Sequence, residues 1–309
     1  MAIRKHLARL DCILDWRLGI IDAPIEDVLF GQARAVRWLL PPEGSGWADP
    51  FFDEPGKRLL FESLDDRGFG SIVEAPLAAE GGSWALGDPS TVRFPGPAIH
   101  RSFPRVQDLG DRTVLTCEMI AAEHLSLFDL SDGSPTGEEM VRPTAMADPL
   151  IIEFDGRTWI IGCHPDGPDG TVVGQFHDGR RWRDASWSSL VIGATGARPA
   201  GGAVKFFDDV VVPFQISDPW YGAAVELRKI DRLDETHFVT TPVGRLEPND
   251  FGVDRFHTVN AVGESATVVD GAISRSAIGT GRILTRASSL LKKSVKDPAS
   301  VTAWFGRGW

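Results

Sequence analysis

The chain repeats one local pattern five times, at intervals of roughly 45 to 60 residues. In each copy a turn carries a polar residue, and an apolar run, a second turn and a second apolar run follow. A period of this kind is typical of repeat architectures, in which every unit is one supersecondary element. Two visible strands per unit, with room for two more, predict one blade of a propeller. The copies begin at Asp49-Pro50, Phe103-Pro104, Asp148-Pro149, Arg198-Pro199 and His257.

The predicted fold is an all-β, five-bladed β-propeller with short extensions at both ends. Residues 47–275 carry the five repeats, and no stretch between them is long enough for the helices of a doubly wound α/β fold. Residues 1–46 contain the run WRLGII, which predicts a strand that closes the ring by pairing with the last blade. Residues 276–309 form a basic tail in an otherwise acidic protein.

Composition excludes some classes of partner. A net charge of −11 argues against nucleic-acid binding, because contacts with phosphates need a basic surface. The three cysteines are widely spaced and fit neither a disulfide framework nor a metal motif. We therefore expect no metal and no cofactor. The absence of a leader pattern predicts a cytoplasmic location. The basic residues near both ends suggest peripheral contact with an anionic membrane, unless they are simply a solvated helix face.

The residues that open the innermost strands of a propeller lie near the mouth of its central channel. Asp49 and Asp148 open the first and third repeats in matching Ala-Asp-Pro sequences, so we expect them to face each other across the ring. Paired carboxylates suit the chemistry of glycosidic bonds. The alternative is that each Asp before Pro only caps a turn.

Further polar residues occupy matching positions. Glu62 and Glu118 end the second strands of the first two repeats, and Gln215 ends that of the fourth, so the pleat aims them the same way. Their alternative is a solvated strand end. Arg198 could hold a carboxylate or a phosphate, or form an ion pair with one of the two Asp residues. The other candidates for sugar binding are His100, His257, Trp220 and Tyr221, for which burial in the core is the alternative.

Taken together, these motifs resemble a known family. WADPFFDEPGKRLLFE, HRSFPRVQDLGDRTVLTCE, MADPLIIEFDGRTWIIG, GARPAGGAV, VPFQISDPWYG and FHTVNAV are similar, in order, to the propeller domain named after the N-terminal region of glucosamine inositolphosphorylceramide transferase. The resemblance implies a fold related to the family-43 glycoside hydrolases. It also implies an Asp base from the first blade, a second Asp from the third and a Glu acid from the fourth. Asp49 and Asp148 match the first two roles. The fourth repeat offers only Arg198 and Gln215, so Glu118 is the candidate substitute for the acid.

The sequence thus predicts a carbohydrate-active protein, with Asp49, Asp148 and Glu118 as the catalytic candidates. Glycosyl transfer in the biosynthesis of a cell-surface polysaccharide or glycoconjugate is favoured, because the expected acid is missing from its usual blade. The substrate would be a glycan or an activated sugar. A glycoside hydrolase and a non-catalytic glycan-binding propeller are the alternatives, and a pure scaffold is a further one.

Overall fold

The five repeats fold into five antiparallel sheets, in a computed structural model that describes residues 12–80, 83–131, 134–165, 170–188, 190–191 and 195–276. Each repeat supplies the innermost strand of one sheet, and we number these sheets blades 1 to 5. The predicted all-β, five-bladed propeller is confirmed. The chain divides into two compact units, residues 16–271 and residues 1–15 with 272–309. The candidate site described below lies within the first of these units.

The blades are antiparallel sheets of four or five strands. Their strands, from the innermost outwards, are as follows. Blade 1 contains β3 (Gly46–Asp53), β4 (Arg58–Leu64), β5 (Gly70–Glu80) and β6 (Ser83–Leu86), with β7 (Ser90–Thr91) on β5. Blade 2 contains β8 (Ser102–Asp108), β9 (Thr113–Glu118), β10 (Leu125–Ser131) and β11 (Ser134–Arg142). Blade 3 contains β12 (Ala147–Phe154), β13 (Arg157–Cys163), β14 (Thr171–His177) and β15 (Trp182–Asp184), with β16 (Leu190–Val191) on β14. Blade 4 contains β17 (Thr195–Pro199), β19 (Asp209–Ile216), β20 (Ala224–Leu233) and β21 (Phe238–Leu246), with β18 (Val204–Phe206) on β19. Blade 5 contains β22 (Val259–Val262), β23 (Ala266–Ser276), β1 (Cys12–Ile21) and β2 (Arg37–Leu39).

Helical structure is slight in the described part of the chain. It comprises the short helix α1 (Ile25–Leu29) and two single 3₁₀ turns, Ile120–Ala122 and Pro248–Phe251. None of the described helices is long and apolar enough to cross a membrane. The residues on which the predicted membrane contact depends, in 1–11 and 277–309, lie outside the described residues.

Local sequence sets the hairpins. Asp155 and Gly156 connect β12 to β13, with φ angles of 49° and 70°, and the flanking Phe154 and Arg157 are paired in the ladder. Two successive left-handed residues match the twist of the strands, and Asp-Gly is the sequence that adopts this turn most readily. The turn therefore fixes the register of the hairpin.

The apolar core lies between neighbouring blades. In β4, Leu59 and Phe61 pack with residues of blade 5, whereas Leu60 packs with residues of blade 2. In β13, Trp159 packs towards blade 4 and Ile160 towards blade 2. Because successive side chains of a strand point to opposite faces, a blade with a neighbour on each side buries both faces. This explains why the inner strands are nearly continuous apolar runs.

The innermost strands form a ring. β3 contacts β8, β8 contacts β12, β12 contacts β17, and β22 contacts β3. The remaining junction is a hydrogen bond of 2.9 Å from the backbone N–H of Val259 to the carbonyl of Ala200. The starts of these strands therefore surround one mouth, where the predicted site residues lie.

Candidate functional site

Three blades start with the same unusual backbone. Asp49, Phe103 and Asp148 have φ angles of 52°, 52° and 48°, and each precedes a proline. Each also lies in a β-bulge, where the ladder register shifts by one residue. A left-handed residue before proline is disfavoured, and such conformations cost about 1–3 kcal/mol each. The bulge takes each residue out of the ladder, so its N–H needs an acceptor other than the neighbouring strand.

That acceptor is a carboxylate of the preceding blade. The N–H of Asp49 donates to Asp270 Oδ2 of blade 5 at 2.9 Å, and the N–H of Phe103 donates to Asp49 Oδ2 at 3.2 Å. The N–H of Asp148 donates to Glu118 Oε2 of blade 2 at 3.0 Å. Hydrogen bonds from a backbone N–H to a carboxylate are stronger than neutral ones. We call this set of contacts the carboxylate relay, since blades 5, 1 and 2 each hold the bulge of the next blade.

Side chains continue the relay into blade 4. The Nε of Arg198 donates to Asp148 Oδ2, and its Nη2 lies 3.4 Å from Asp148 Oδ1 and 3.7 Å from Glu118 Oε2. Gln215 Nε2 donates to Asp148 Oδ2 at 2.8 Å. The guanidinium also lies over the ring of Tyr221, 5.3 Å from its centroid. Arg198 therefore forms the ion pair with Asp148 that was one of the two sequence-based alternatives.

Blade 5 closes the relay around a buried histidine. His257 Nδ1 lies 2.7 Å from Asp270 Oδ2 and 3.7 Å from Asp49 Oδ1. The hydroxyl of Thr258 donates to Asp49 Oδ1 at 2.9 Å. The imidazole stacks on Trp16, with centroids 4.2 Å apart, and meets the edge of Tyr221 at 5.0 Å. The ring is therefore fixed in place by an acid on one side and aromatic faces on the others.

Glu62 differs from the carboxylates of the relay. It is buried, and its Oε1 has no hydrogen-bond partner. His100 Nε2 lies 3.3 Å from this atom without hydrogen-bond geometry. The other ring nitrogen, Nδ1, accepts the N–H of Gly70 at 2.8 Å, so a neutral His100 carries its proton on Nε2. Burial lowers the pKa of His100, which favours that neutral form.

Burial also shifts the acids at the mouth. It raises the pKa of Asp49 to about 6, against the opposing effect of His257, and that of Asp148 to about 6, against Arg198. The pKa of Glu62 is raised well above its ordinary value by burial and by the nearby charges of Asp49 and Glu118. The site thus combines two Asp residues whose pKa values are about 6 with a carboxyl group whose raised pKa favours its protonated form.

Two neighbours of these acids also titrate abnormally. Burial lowers the pKa of His257, but the nearby charges of Asp270 and Asp49 raise it by more. The pKa of His257 therefore lies above its usual value. Burial raises the pKa of the Tyr221 phenol, which therefore remains a hydrogen-bond donor. Both shifts favour the protonated form of the side chain.

One group of residues could hold a cation. Asp49, His257 and Asp270 each offer a ligand atom, and these atoms lie within 4.8 Å of one another. However, Asp270 already accepts three backbone N–H groups, from Asp49, His257 and Thr258. The fourth contact, from His257 Nδ1, is explained by a proton on that nitrogen. A metal would have to displace this proton, so the expectation that no metal is bound stays a prediction.

Most of the sequence-predicted residues meet at this mouth. Trp220 differs, because it is 48% exposed and its ring lies under the guanidinium of Arg255, away from the relay contacts of the described residues. In the second repeat the bulge residue is Phe103, and His100 lies beside Glu62. Sequence reasoning missed Asp270 and Trp16. Asp270 ends the second apolar run of the fifth repeat, just as Glu62 ends that of the first. The comparison of repeats that identified Glu62 would therefore have indicated Asp270 as well.

Comparison with known proteins identifies no close relative. No protein-family model matches the chain, and no curated protein matches it in sequence. The resemblance to the glucosamine inositolphosphorylceramide transferase family therefore stays a prediction. Among solved structures, the chain is similar to CoXyl43, a GH43 β-xylosidase/α-arabinofuranosidase from a compost microbial metagenome in complex with xylotriose. That match has a TM-score of 0.48 and 9% identity and covers 74% of this chain and 90% of that one.

Two further structures are of the same kind. The GH43_1 enzyme from Xanthomonas citri complexed with xylotriose has a TM-score of 0.48 and 12% identity, over 76% of this chain and 89% of that one. The RS223 β-xylosidase has a TM-score of 0.46 and 10% identity, over 73% of this chain and 91% of that one. Two of these three proteins are named as β-xylosidases, and the third is named as a GH43_1 enzyme.

Proposed function

We propose that the protein hydrolyses glycosidic bonds at the mouth of the propeller, with Asp49 as general base and Glu62 as general acid. The observation that carries the proposal is Glu62. It is a buried carboxyl group whose pKa is raised and whose Oε1 accepts no hydrogen bond, although His100 Nε2 lies 3.3 Å away. Acid catalysis of glycoside hydrolysis needs a carboxyl group that holds its proton near neutral pH.

The proposed reaction is direct displacement by water. Asp49 takes a proton from a water molecule, whose oxygen attacks the anomeric carbon of the sugar. The bond from that carbon to the glycosidic oxygen breaks, and Glu62 gives its proton to the departing oxygen. Asp148, held by Arg198 and Gln215, would stabilise the positive charge that develops on the ring. This assignment moves the acid from Glu118, which is already bound to the Asp148 N–H, to Glu62.

Hydrolysis fits the site better than transfer from a nucleotide sugar, which the sequence analysis favoured. Recognition of a diphosphate requires a cation with free donors. Arg198 lies at this mouth, and its guanidinium is shared by Asp148 and Glu118. Its charge is thus already balanced by the protein.

A second candidate, a non-catalytic glycan-binding propeller, is favoured by the carboxylate relay. Asp49, Glu118 and Asp148 all hold neighbouring blades together, which is a structural role. The exposed Trp220 and the partly exposed Tyr221 would then serve as the stacking surface for a sugar. Binding without turnover would distinguish this candidate from the enzyme.

The test is turnover of chromogenic aryl glycosides of pentoses and hexoses, followed by matching oligosaccharides. Any substrate that is cleaved is then used with Asp49→Asn and Glu62→Gln. Asn is a conservative change at 49, because its oxygen can accept the Phe103 N–H and the Thr258 hydroxyl can turn to accept its amide. Asp209→Asn, in an exposed side chain paired with Lys229 at 3.7 Å, is the matched control.

We expect Asp49→Asn to abolish turnover with its melting temperature kept. Glu62→Gln should lose activity strongly on substrates with poor leaving groups and much less on dinitrophenyl glycosides, which need no acid. Wild-type activity in Asp49→Asn would refute the proposed base. An equal loss on both kinds of leaving group would refute the proposed acid. Binding of an oligosaccharide with no cleavage of any substrate would select the binding module.

A further inference from the structure

A cation lies further along the inner strands, beyond the carboxylate relay. Arg105 is on β8, two residues after the bulge residue Phe103. The ladders place apolar residues at the same position of the other blades. These are Phe51, Leu150, Ala200 and Val259. Since a strand rises about 3.3 Å per residue, the backbone of Arg105 lies roughly 7 Å further along the channel than the bulge at Phe103.

Arg105 has no carboxylate partner among the residues that the structure describes. Its Nη2 donates to the amide oxygen of Gln107 at 3.2 Å, and its Nε is buried without a hydrogen bond. Its Cζ lies 5.9 Å from the centroid of the Phe51 ring. Burial lowers the pKa of Arg105 to about 10, and no acid opposes that effect. A desolvated charge without a counter-charge is unfavourable, and a bound anion would relieve it.

The guanidinium borders a cavity of about 170 Å³. Ile25, Phe51 and Phe52 give this cavity an apolar wall, and Gly202 and Asn260 line it as well. The amide of Asn260 is already engaged, because its Nδ2 donates to the carbonyl of Pro50 at 2.7 Å and its Oδ1 accepts the Gly202 N–H at 2.6 Å. These two bonds leave Asn260 one further N–H and one further lone pair, and Arg105 is the charged side chain among the residues that line this cavity.

The glycines of the GARPAGG segment make this arrangement possible. A Cβ on Gly202 would lie 2.7 Å from Arg105 Nη1, and a Cβ on Gly201, whose φ is 143°, would lie 2.0 Å from the carbonyl oxygen of Val259. The backbone of blade 4 thus approaches both the guanidinium and blade 5 more closely than any other residue would allow.

We propose that this cavity is an anion site, in which Arg105 binds the oxyanion group of a small metabolite. The group is a carboxylate, phosphate or sulfate, and the organic part of the ligand packs on Phe51 and Phe52. A guanidinium matches such groups because its N–H donors form a planar fork. The site is separate from the mouth, so ligand binding here does not depend on the proposed hydrolysis.

Thermal unfolding of the full chain tests the proposal with three probes, inorganic phosphate, sulfate and acetate. Each is titrated against sodium chloride at constant ionic strength, since sulfate and phosphate stabilise proteins generally. A ligand that binds only the folded state raises the melting temperature in a saturable way. The probe with the largest rise names the class of oxyanion. Arg105→Met is the main variant, and Asp49→Asn serves as the control for binding at the mouth.

We expect a saturable rise in the wild type and in Asp49→Asn, and none in Arg105→Met. Without added oxyanion, Arg105→Met should melt at or above the wild-type temperature, because Met removes a partly buried charge that has no counter-charge. Arg105→Lys keeps the charge without the planar fork, and its rise should need a higher concentration of the anion. Equal rises in wild type and Arg105→Met, or no rise with any probe, would overturn the proposal.

Discussion

Asp270 holds the junction between blades 5 and 1, and Asp270→Asn is the most direct test of the carboxylate relay. The carboxylate is fully buried and contacts four donors, the N–H groups of Asp49, His257 and Thr258 and the His257 ring. An Asn in this position has one oxygen and one NH₂ group. The oxygen can keep the two N–H groups that now meet Oδ1. The NH₂ group must then face the Asp49 N–H and the imidazole.

The expected loss follows from these contacts. A buried N–H without an acceptor costs about 1–3 kcal/mol, and this applies to Asp49 in the variant. Removing one member of a buried charged pair costs about 3–5 kcal/mol, which His257 reduces by releasing its Nδ1 proton and accepting from the new amide. We therefore expect a total loss of about 3–5 kcal/mol. At about 2 °C per kcal/mol for a chain of this size, the melting temperature should fall by roughly 6–10 °C.

The assay is urea unfolding of wild type, Asp270→Asn and Asp209→Asn at pH 5.5 and at pH 8.5. Because Asp270 raises the pKa of His257, the contribution of this pair to stability is complete at low pH and is lost as the pH rises through the folded-state pKa. The difference between wild type and Asp270→Asn should therefore be larger at pH 5.5. Asp209→Asn should stay within about 0.5 kcal/mol of wild type. A loss below about 1 kcal/mol for Asp270→Asn, or a loss that grows with pH, would refute the relay.

Three further predictions address other parts of the structure. Burial raises the folded-state pKa of Asp49 and Asp148 from 3.8 to about 6, so the folded chain binds protons more tightly than the unfolded one. The free energy of unfolding should therefore rise as the pH is lowered from 7.5 to 5; a fall across this range in urea titrations would contradict these shifts. If the proposed roles are correct, kcat/KM should increase as Asp49 ionises near pH 6 and decrease when Glu62 loses its proton at higher pH, and Glu62→Gln should lack the alkaline decrease. Gly174→Ala should cost about 2–3 kcal/mol, because its Cβ would lie 1.9 Å from Trp187 Cη2, whereas in Gly46→Ala the nearest atom is 3.5 Å away and stability should be kept.

The fold could be predicted because its determinants are local and repeated. Four of the five repeats start with a residue before proline, and two apolar runs separated by a turn, such as Asp155-Gly156, indicate each blade. These signals depend on short stretches of chain, and the five copies reinforce one another. The near-continuous apolar runs indicate burial on both faces, as found for β4 and β13.

The candidate site could be predicted only in part, because its contacts join distant residues. Asp49 and Asp270 are far apart in the chain, and no local pattern reports that one accepts the N–H of the other. The left-handed backbone at Phe103 could not be predicted either, since bulky residues rarely adopt this conformation. The sequence also left two roles open for Arg198, and only the position of Asp148 decides between them.

The carboxylate relay has a consequence for how the mouth could change during evolution. At each bulge the preceding blade uses only the backbone N–H, which every residue except proline has. Phe103 stands at a position where two other blades have Asp, yet its N–H is bound in the same way. The architecture therefore tolerates new side chains at the strand starts, as long as the acceptors that hold the N–H groups persist. The side chain at 103 can therefore change without loss of its bulge, whereas a change at Asp49 also alters the acceptor that holds the Phe103 N–H.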